Sequence, residues 1–524
     1  MLLSIISMVL LAMLLSLELR RCLMMLQQNS YRPSRYRRWL SESADSTSMW
    51  RLAGLVIFFI ALSPFCKPAA ADVLIAIFAI SLGVSLWRRK YKKPLVMTAR
   101  AKRIFAVALL LVAVIAVLAI VLFPGGVQAA VVALLGCYCL SHLIIIAANW
   151  LLKPVEGAIT RHYYNDARRR LESMPDLRVV GITGSYGKTS TKHYLHRILS
   201  EQFDTLMTPG SYNTTLGVVR TVRELLKPYN EVFICEMGAK NVGDIREICD
   251  LVHPTLGIIT AVGPQHLESF KTIERVQATK FELADAIPAD GTVIVNDDFE
   301  MIANRPVANC HCLRYGISAD APWRAVDIVY SPDGTEFTVT GPDGYRLPLH
   351  TRLMGEANVS DLLAAVVCAH TMGVADSKIA AAVASIEPVE HRLSIKRTAG
   401  GVTILDDAFN SNPVGSRMAM EVLSAMKGGK RIVITPGMVE LGSEQYELNF
   451  ELGKTISRCV DVAIIVSQVN REALVEGIRS TGKLPEANLH VVDTFAEAQQ
   501  QVLPTLLAKG DTILYENDLP DTFK

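Results

Sequence analysis

The chain has 524 residues, half of them hydrophobic, and a positive mean hydropathy. It is too long for one domain and too apolar for a purely soluble protein, so part of it is expected in a membrane. A formal net charge of +2 gives no argument for a nucleic-acid partner. Ten cysteines without a C-x-x-C pair argue against a zinc ribbon or a disulfide framework and read as reduced cytosolic thiols. Cys310-His311-Cys312 offers metal ligands but lacks a second pair nearby.

Five apolar stretches occupy residues 1–19, 50–65, 71–87, 104–123 and 128–152. The fourth and fifth have spanning length. The second and third lie near the lower limit of about 17 residues and also read as one tight hairpin. Arg20, Arg21, Arg32, Arg35, Arg37, Arg38 and Arg51 crowd the first connection, and Arg88, Arg89, Lys90, Lys92, Lys93, Arg100, Lys102 and Arg103 crowd the third. The second and fourth connections carry one lysine between them. This positive-inside bias puts the N-terminus outside and everything after residue 152 on the cytoplasmic side of the plasma (inner) membrane, as a multi-pass protein. No basic region follows Met1, so a cleaved signal peptide is not expected. Topology alone accounts for the basic loops, although a lipid-headgroup or pyrophosphate site would use the same residues. After this membrane region, residues 1–155, a linker is expected over 156–176. Its polar helix, rich in basic and aromatic residues, suits a membrane surface or a solvated connector equally.

The stretch VVGITGSYGKTST, residues 179–191, carries the chemistry. A short apolar run feeds a turn of small residues, Thr183, Gly184, Ser185 and Gly187, and a helix should start at Lys188, Thr189 and Ser190. That is a phosphate cradle: glycines let backbone N–H groups approach an anion, and the helix N-terminus adds partial positive charge. Lys188 reaches the outer phosphates, and Thr189 can hold Mg2+. The spacing departs from the common G-x-x-x-x-G-K-[ST] form, because five residues separate Gly181 from Gly187. Strands and helices then alternate, which predicts a mostly parallel, doubly wound α/β sheet with nucleotide at the carboxyl ends of its strands. Glu236 closes the strand EVFICE, where a carboxylate can bind Mg2+ directly or through water. His266 follows the strand LGIITAV in a strand-end loop, a plausible ligand position.

Further blocks follow in order: TPGSYNTTLGV, ICEMGAKNVGDI, ITAVGPQHLESF with TIERVQATKFEL, VNDD, GEANVSDLLAAV, HRL and LDDAFNSNP. With GITGSYGKTSTK they resemble the successive blocks of the Mur ligase family, from about residue 179 to the C-terminus. The resemblance implies a central P-loop ATP-binding domain over 177–390 and a Rossmann-like C-terminal domain over 391–524. It also implies ATP and two Mg2+ ions. Lys188 and Thr189 would hold the phosphates and the first ion with Glu236, and His266 would join the second. Lys280 falls where the family carries a carbamylated lysine that bridges towards that second ion; read from the residues alone it is a lysine in a helix beginning near Ile273, as a solvated surface residue would be. Asn213, Thr214 and Thr215 match the loop that faces the carboxylate substrate and the γ-phosphate. Asn296 and Asn358 resemble adenine-side residues, Arg392 a nucleotide contact from the C-terminal domain, and Asp407 a ribose ligand. Phe409, Asn410 and Asn412 match the loop that faces the incoming amine.

The reaction implied is ATP-dependent amide formation through an acyl phosphate, with catalysis by positioning and charge neutralisation rather than by a covalent enzyme nucleophile. The partners implied are an amino-acid or dipeptide amine and a carboxylate-bearing cell-wall precursor. Within the family the blocks look most like those of the member that adds D-alanyl-D-alanine to a UDP-N-acetylmuramoyl-tripeptide. A poly-γ-glutamate-type synthetase also combines membrane spans with this chemistry, and a non-catalytic membrane scaffold that binds ATP is a third reading. Two departures bear on the substrates: membrane spans stand in place of the family's small UDP-binding domain, and Glu516, Asn517 and Asp518 replace a Lys-Gly-Ser-Arg type stretch.

Overall fold

Runs of Leu, Ile, Val and Ala with few breakers fold as helices over the first part of the chain. The computed structural model describes residues 1–43, 48–89, 91, 93–265, 267–331, 334–387, 394–408 and 412–517. It divides into two compact units, one running to Arg161 and one starting at His162.

The first unit contains α1 (Leu2–Gln28), α2 (Pro33–Glu42), α3 (Met49–Leu62), α4 (Pro68–Arg88), α5 (Ala99–Leu122), α6 (Val127–Cys139) and α7 (Ser141–Leu151); α8 (Lys153–Glu172) follows. Three of these, α1, α4 and α5, are long and apolar enough to cross a membrane, whereas α3 has 14 residues. The apolar stretch over 128–152 is not the straight span that its length predicts. It breaks at Leu140, with the axes of α6 and α7 bent by 81°. Lys153-Pro154 likewise opens α8 instead of merely ending a span.

The break has a polar partner. Arg51 donates from one nitrogen to the carbonyls of Tyr138 and Cys139, at 3.2 and 3.3 Å, at the end of α6. Its other terminal nitrogen lies 2.6 Å from the buried Glu18. Non-helical backbone is tolerated in an apolar layer only where such partners satisfy it. Glu18, Cys22 and His142 each offer a ligand atom within 4.8 Å of the others. Glu18 Oε1, however, already meets the guanidinium groups of Arg21, at 2.7 Å, and Arg51. Those two cations commit the carboxylate to an ion triad and repel a third positive charge.

The second unit holds two sheets. In the first, β1 (Arg178–Thr183), α9 (Lys188–Leu199), β2 (Thr205–Met207), α10 (Thr215–Glu224), β3 (Val232–Glu236), α11 (Asp244–Val252) and β4 (Leu256–Ile259) alternate. They are followed by α12 (Leu267–Phe270), α13 (Ile273–Ala286), β5 (Thr292–Asn296), α14 (Glu300–Ala303) and β6 (His311–Gly316). The strands β7 (Trp323–Ser331), β8 (Gly334–Thr340) and β9 (Arg346–Thr351) add the expected hairpins, before α15 (Glu356–Thr371) and α16 (Asp376–Ser385). Strand order is β2-β3-β1-β4-β5-β6-β7-β8-β9, parallel through β7 and antiparallel beyond. Both faces of its parallel part are covered, which is why these strands read as continuous apolar runs. Val180, Ile182, Ile234, Ile258 and Ile294 pack with α9 and α15, while Val179, Phe233, Ile259 and Val293 pack with α10, α11 and α13.

The second sheet contains β10 (Ser394–Arg397), β11 (Thr403–Asp407), β12 (Arg431–Thr435), β13 (Val462–Val466), β14 (Leu489–Val492) and β15 (Thr512–Glu516). Their order is β10-β11-β15-β12-β13-β14, with only β10 antiparallel. The helices α17 (Pro413–Ala425), α18 (Gln445–Cys459) and α19 (Arg471–Ser480) connect them, as a Rossmann-like unit requires.

Candidate active site

Between β1 and α9 the backbone turns in conformations that favour glycine, with φ +154° at Gly184 and +78° at Gly187. A Cβ would lie 2.1 Å from Thr260 Oγ1 at the first and 2.2 Å from Asp361 Oδ1 at the second. The loop is held from several sides. The Ser185 amide donates to the Ala261 carbonyl at 2.7 Å, and the Ser185 hydroxyl donates to the Gly263 carbonyl at 3.0 Å. Thr183 Oγ1 donates to the Met237 carbonyl at 2.9 Å, and the Tyr186 hydroxyl to the Pro264 carbonyl at 3.0 Å. Lys188 Nζ donates to the carbonyls of Gly184 and Ser185 at 2.5 and 3.1 Å, so the lysine curls over the loop it follows. Ser190 is buried in the first turn of α9.

Glu236 ends β3 beside β1 and is 1% exposed. Its Oε1 accepts from Thr189 Oγ1 at 3.2 Å and from Asn213 Nδ2 at 3.0 Å, and its Oε2 lies 2.9 Å from Lys192 Nζ. Burial pushes this carboxyl up, but Lys192 and Lys188 outweigh burial and hold it below the ordinary glutamate range. Sequence reasoning missed Lys192. The available signal was its spacing: it follows Lys188 by one helical turn and so shares its face of α9.

Lys280, on α13, is 2% exposed, not a solvated surface lysine. Burial, then the charge of Lys188, drives its amine well below the ordinary lysine value. Asn296, at the end of β5, is also buried; its Nδ2 donates to the Thr260 carbonyl at 3.0 Å and to Ser360 Oγ at 3.1 Å. Asn358, on α15, accepts from the Tyr194 hydroxyl at 2.7 Å. Thr214 caps α10, accepting from the Gly217 amide at 3.3 Å, and Thr215 donates to Glu247 of α11 at 2.9 Å.

In the second sheet Asp407 ends β11 in register with Glu516 of β15. Asn412 caps α17, accepting from the Gly415 amide at 2.9 Å. Glu516 is fully buried and accepts from the hydroxyls of Ser416, at 2.6 Å, and Thr435. The loops after β3 and β12 meet where Lys240 Nζ lies 3.3 Å from Glu440. His266, Arg392, Phe409 and Asn410 lie outside the described residues.

The structure therefore brings together Lys188, Thr189, Asn213 and Glu236, adds Lys192, and keeps Asp407 and Asn412 on the other sheet. A glycine cradle at a helix N-terminus, followed by a lysine and facing a buried carboxylate and a hydroxyl, has the donors for a polyphosphate and the hard oxygen ligands for Mg2+.

Comparison with known proteins agrees. Residues 182–369 match the Mur ligase middle domain, and residues 391–515 the glutamate ligase domain of Mur ligases. The UDP-N-acetylmuramoyl-tripeptide–D-alanyl-D-alanine ligase of Bacillus subtilis is 29% identical over 283 residues, 53% of this chain and 60% of that protein. The Escherichia coli enzyme of the same name is 28% identical over 362 residues, 67% of this chain and 78% of its own. The chain thus spans less than two thirds of the first relative's length. Among solved structures, MurF from Acinetobacter baumannii superposes with a TM-score of 0.62 at 26% identity, over 68% of this chain and 77% of that one. MurF from Thermotoga maritima, in complex with ADP, shares the fold with a TM-score of 0.60 at 24% identity, over 68% and 80%.

Proposed function

The chain belongs to the Mur ligase family, and we propose that it uses ATP to join a substrate carboxylate to an amine from the membrane surface. The observation that carries this reading is the Glu236 cluster, in which one buried carboxylate gathers Thr189 of the phosphate loop and Asn213 of the neighbouring loop. The relatives' names make the addition of D-alanyl-D-alanine to a UDP-N-acetylmuramoyl-tripeptide the first reaction to test.

In this reading the backbone at the start of α9 and Lys188 bind the outer phosphates. Thr189 and Glu236 would hold one Mg2+, and His266 with Lys280 as its carbamate a second; the ions would offset repulsion between the γ-phosphate and the approaching carboxylate. Burial lowers the Lys280 pKa well below the ordinary lysine value and so favours the neutral amine, whose lone pair can take up CO2. A carboxylate oxygen attacks the γ-phosphorus, the bond to ADP breaks, and an acyl phosphate forms. The amine nitrogen then attacks the acyl carbon, loses a proton, and inorganic phosphate leaves. Asn213 orients the carboxylate side, Asn296 and Asn358 the adenine side. From the second sheet Arg392 and Asp407 would meet the nucleotide and Phe409, Asn410 and Asn412 the amine. Approach of that sheet would keep water from the acyl phosphate. The apolar α1, α4 and α5 support a multi-pass anchor in the inner membrane; with α3 and the bent α6–α7 pair as two further crossings, the basic connections and both sheets would face the cytoplasm. Such an anchor suits a precursor held at the inner surface.

The test is phosphate release by the full chain in detergent, with D-alanyl-D-alanine and UDP-N-acetylmuramoyl-tripeptide, and mass analysis of the product. A ligated product with one phosphate per bond is expected. No release above the ATP-only level with this or any other carboxylate and amine pair would overturn the reading.

A further inference from the structure

We propose that Lys192 is a positioning residue that couples metal–nucleotide binding to the loop carrying Asn213. This inference rests on the nucleotide reading above. Lys192 lies one turn beyond Lys188 on α9 and has no exposed surface. Among the described residues its ammonium forms an ion pair with Glu236 Oε2 at 2.9 Å and donates to the Gly210 carbonyl at 2.6 Å. The first belongs to the carboxylate beside Thr189, the second to the tip of the 208–213 loop.

The two oxygens of Glu236 have separate duties. Lys192 anchors Oε2, which leaves Oε1 turned to Thr189 and Asn213. The loop is pinned at one end to β3 and at the other to the turn that follows it: the Thr208 amide donates to the Ile234 carbonyl at 3.0 Å, and the Gly238 amide to the Asn213 carbonyl at 2.7 Å. Only its tip depends on Lys192. Glu236 Oε1 would hold a cation in place of the donors now on it, and the Asn213 amide would then be available to the carboxylate substrate. Lys192 keeps the opposite oxygen and the loop tip fixed while that exchange occurs. Without it, Glu236 can swing, and the Gly210 carbonyl loses its ammonium donor. The two sites then bind independently, and by linkage the loss is reciprocal.

A buried ion pair that serves stability alone would predict something different, so the test reads binding rather than turnover. With the full chain in detergent, ADP is titrated calorimetrically with and without Mg2+, and hydrogen exchange is followed over 208–214. In the wild type, Mg2+ is expected to tighten ADP binding and to protect the loop. Lys192→Met is expected to leave metal-free ADP affinity unchanged, to reduce the Mg2+-dependent gain by about tenfold or more, and to abolish the loop protection. Lys192→Met combined with Glu236→Gln removes the unpaired buried charge, so it remains measurable if the single variant does not fold. Its Mg2+-dependent gain in ADP affinity should match that of Glu236→Gln alone, because the metal is coupled to the lysine through that carboxylate. An unchanged Mg2+ gain and unchanged loop protection in Lys192→Met overturn the proposal. A double variant clearly weaker than Glu236→Gln does so as well. A wild type in which Mg2+ adds nothing to ADP binding would instead sink the nucleotide reading itself.

Discussion

Lys280 gives the sharpest separation of structure from chemistry. Its side chain is 2% exposed, and burial with the nearby charge of Lys188 depresses its pKa far below 10.5. Lys280→Met keeps the unbranched shape and nearly the volume, so the packing change should cost less than about 1.5 kcal/mol. A second effect favours the variant. In the unfolded chain the amine keeps the ordinary lysine pKa, whereas in CO2-free buffer burial in the folded chain lowers it. The unfolded state thus binds one more proton in the window between the folded pKa and 10.5. Stability therefore rises with pH through that window, by about 1.4 kcal/mol per unit. The methionine variant has no such slope, and its advantage is largest at the acid end. Urea unfolding of the α/β unit, read by pulse proteolysis at pH 7 and pH 9 without CO2, should show the wild type gaining on the variant as pH rises. Activity should move the other way: if a carbamate on Lys280 holds an ion, Lys280→Met loses phosphate release by about 100-fold or more. Short carboxylates should partly restore Lys280→Ala. Full activity in Lys280→Met would end the carbamate role. Parallel pH profiles for the two proteins would refute the buried neutral amine.

Gly187→Ala should abolish ADP binding by calorimetry and destabilise the turn by about 1–3 kcal/mol, since its φ is +78° and the new Cβ would sit 2.2 Å from Asp361 Oδ1. Arg51→Met removes one of the two guanidinium groups on Glu18 Oε1 and the donor to the carbonyls at the end of α6. The expected loss is about 3–5 kcal/mol, measured as a lowered thermal midpoint of the full chain in detergent. Cys66, half-buried in the connection between α3 and α4, should react with a membrane-impermeant maleimide added to intact cells. Labelling only after permeabilisation would reverse the orientation assigned to the spans.

What could be read in advance, and what could not, follows from the range of the interactions involved. Gly184, Gly187 and Lys188 were legible because a turn that bends this sharply restricts its own residues, whatever surrounds it. Glu236 was legible because a carboxylate at the end of an apolar strand in an alternating pattern has few other places to face. The break at Leu140 was not, because hydropathy averages over side chains, and residues on both sides of the break are apolar. The donor that satisfies its carbonyls, Arg51, lies 88 positions before Cys139 and counts in the sequence as one more topological cation. Lys280 and Lys192 share that difficulty from the opposite side. A lysine flanked by Thr279 and Phe281, or by Thr191 and His193, looks like the solvated face of a helix. Its burial is decided by strands and loops that arrive from elsewhere: β3 brings Glu236 to Lys192, and the 208–213 loop brings Gly210. A buried lysine is costly wherever it stands. The fold accommodates Lys192 by a full pairing and Lys280 by suppressing its charge. These two solutions leave different groups within the field of the same phosphate-loop lysine, a cation paired with Glu236 and an amine whose charge burial disfavours.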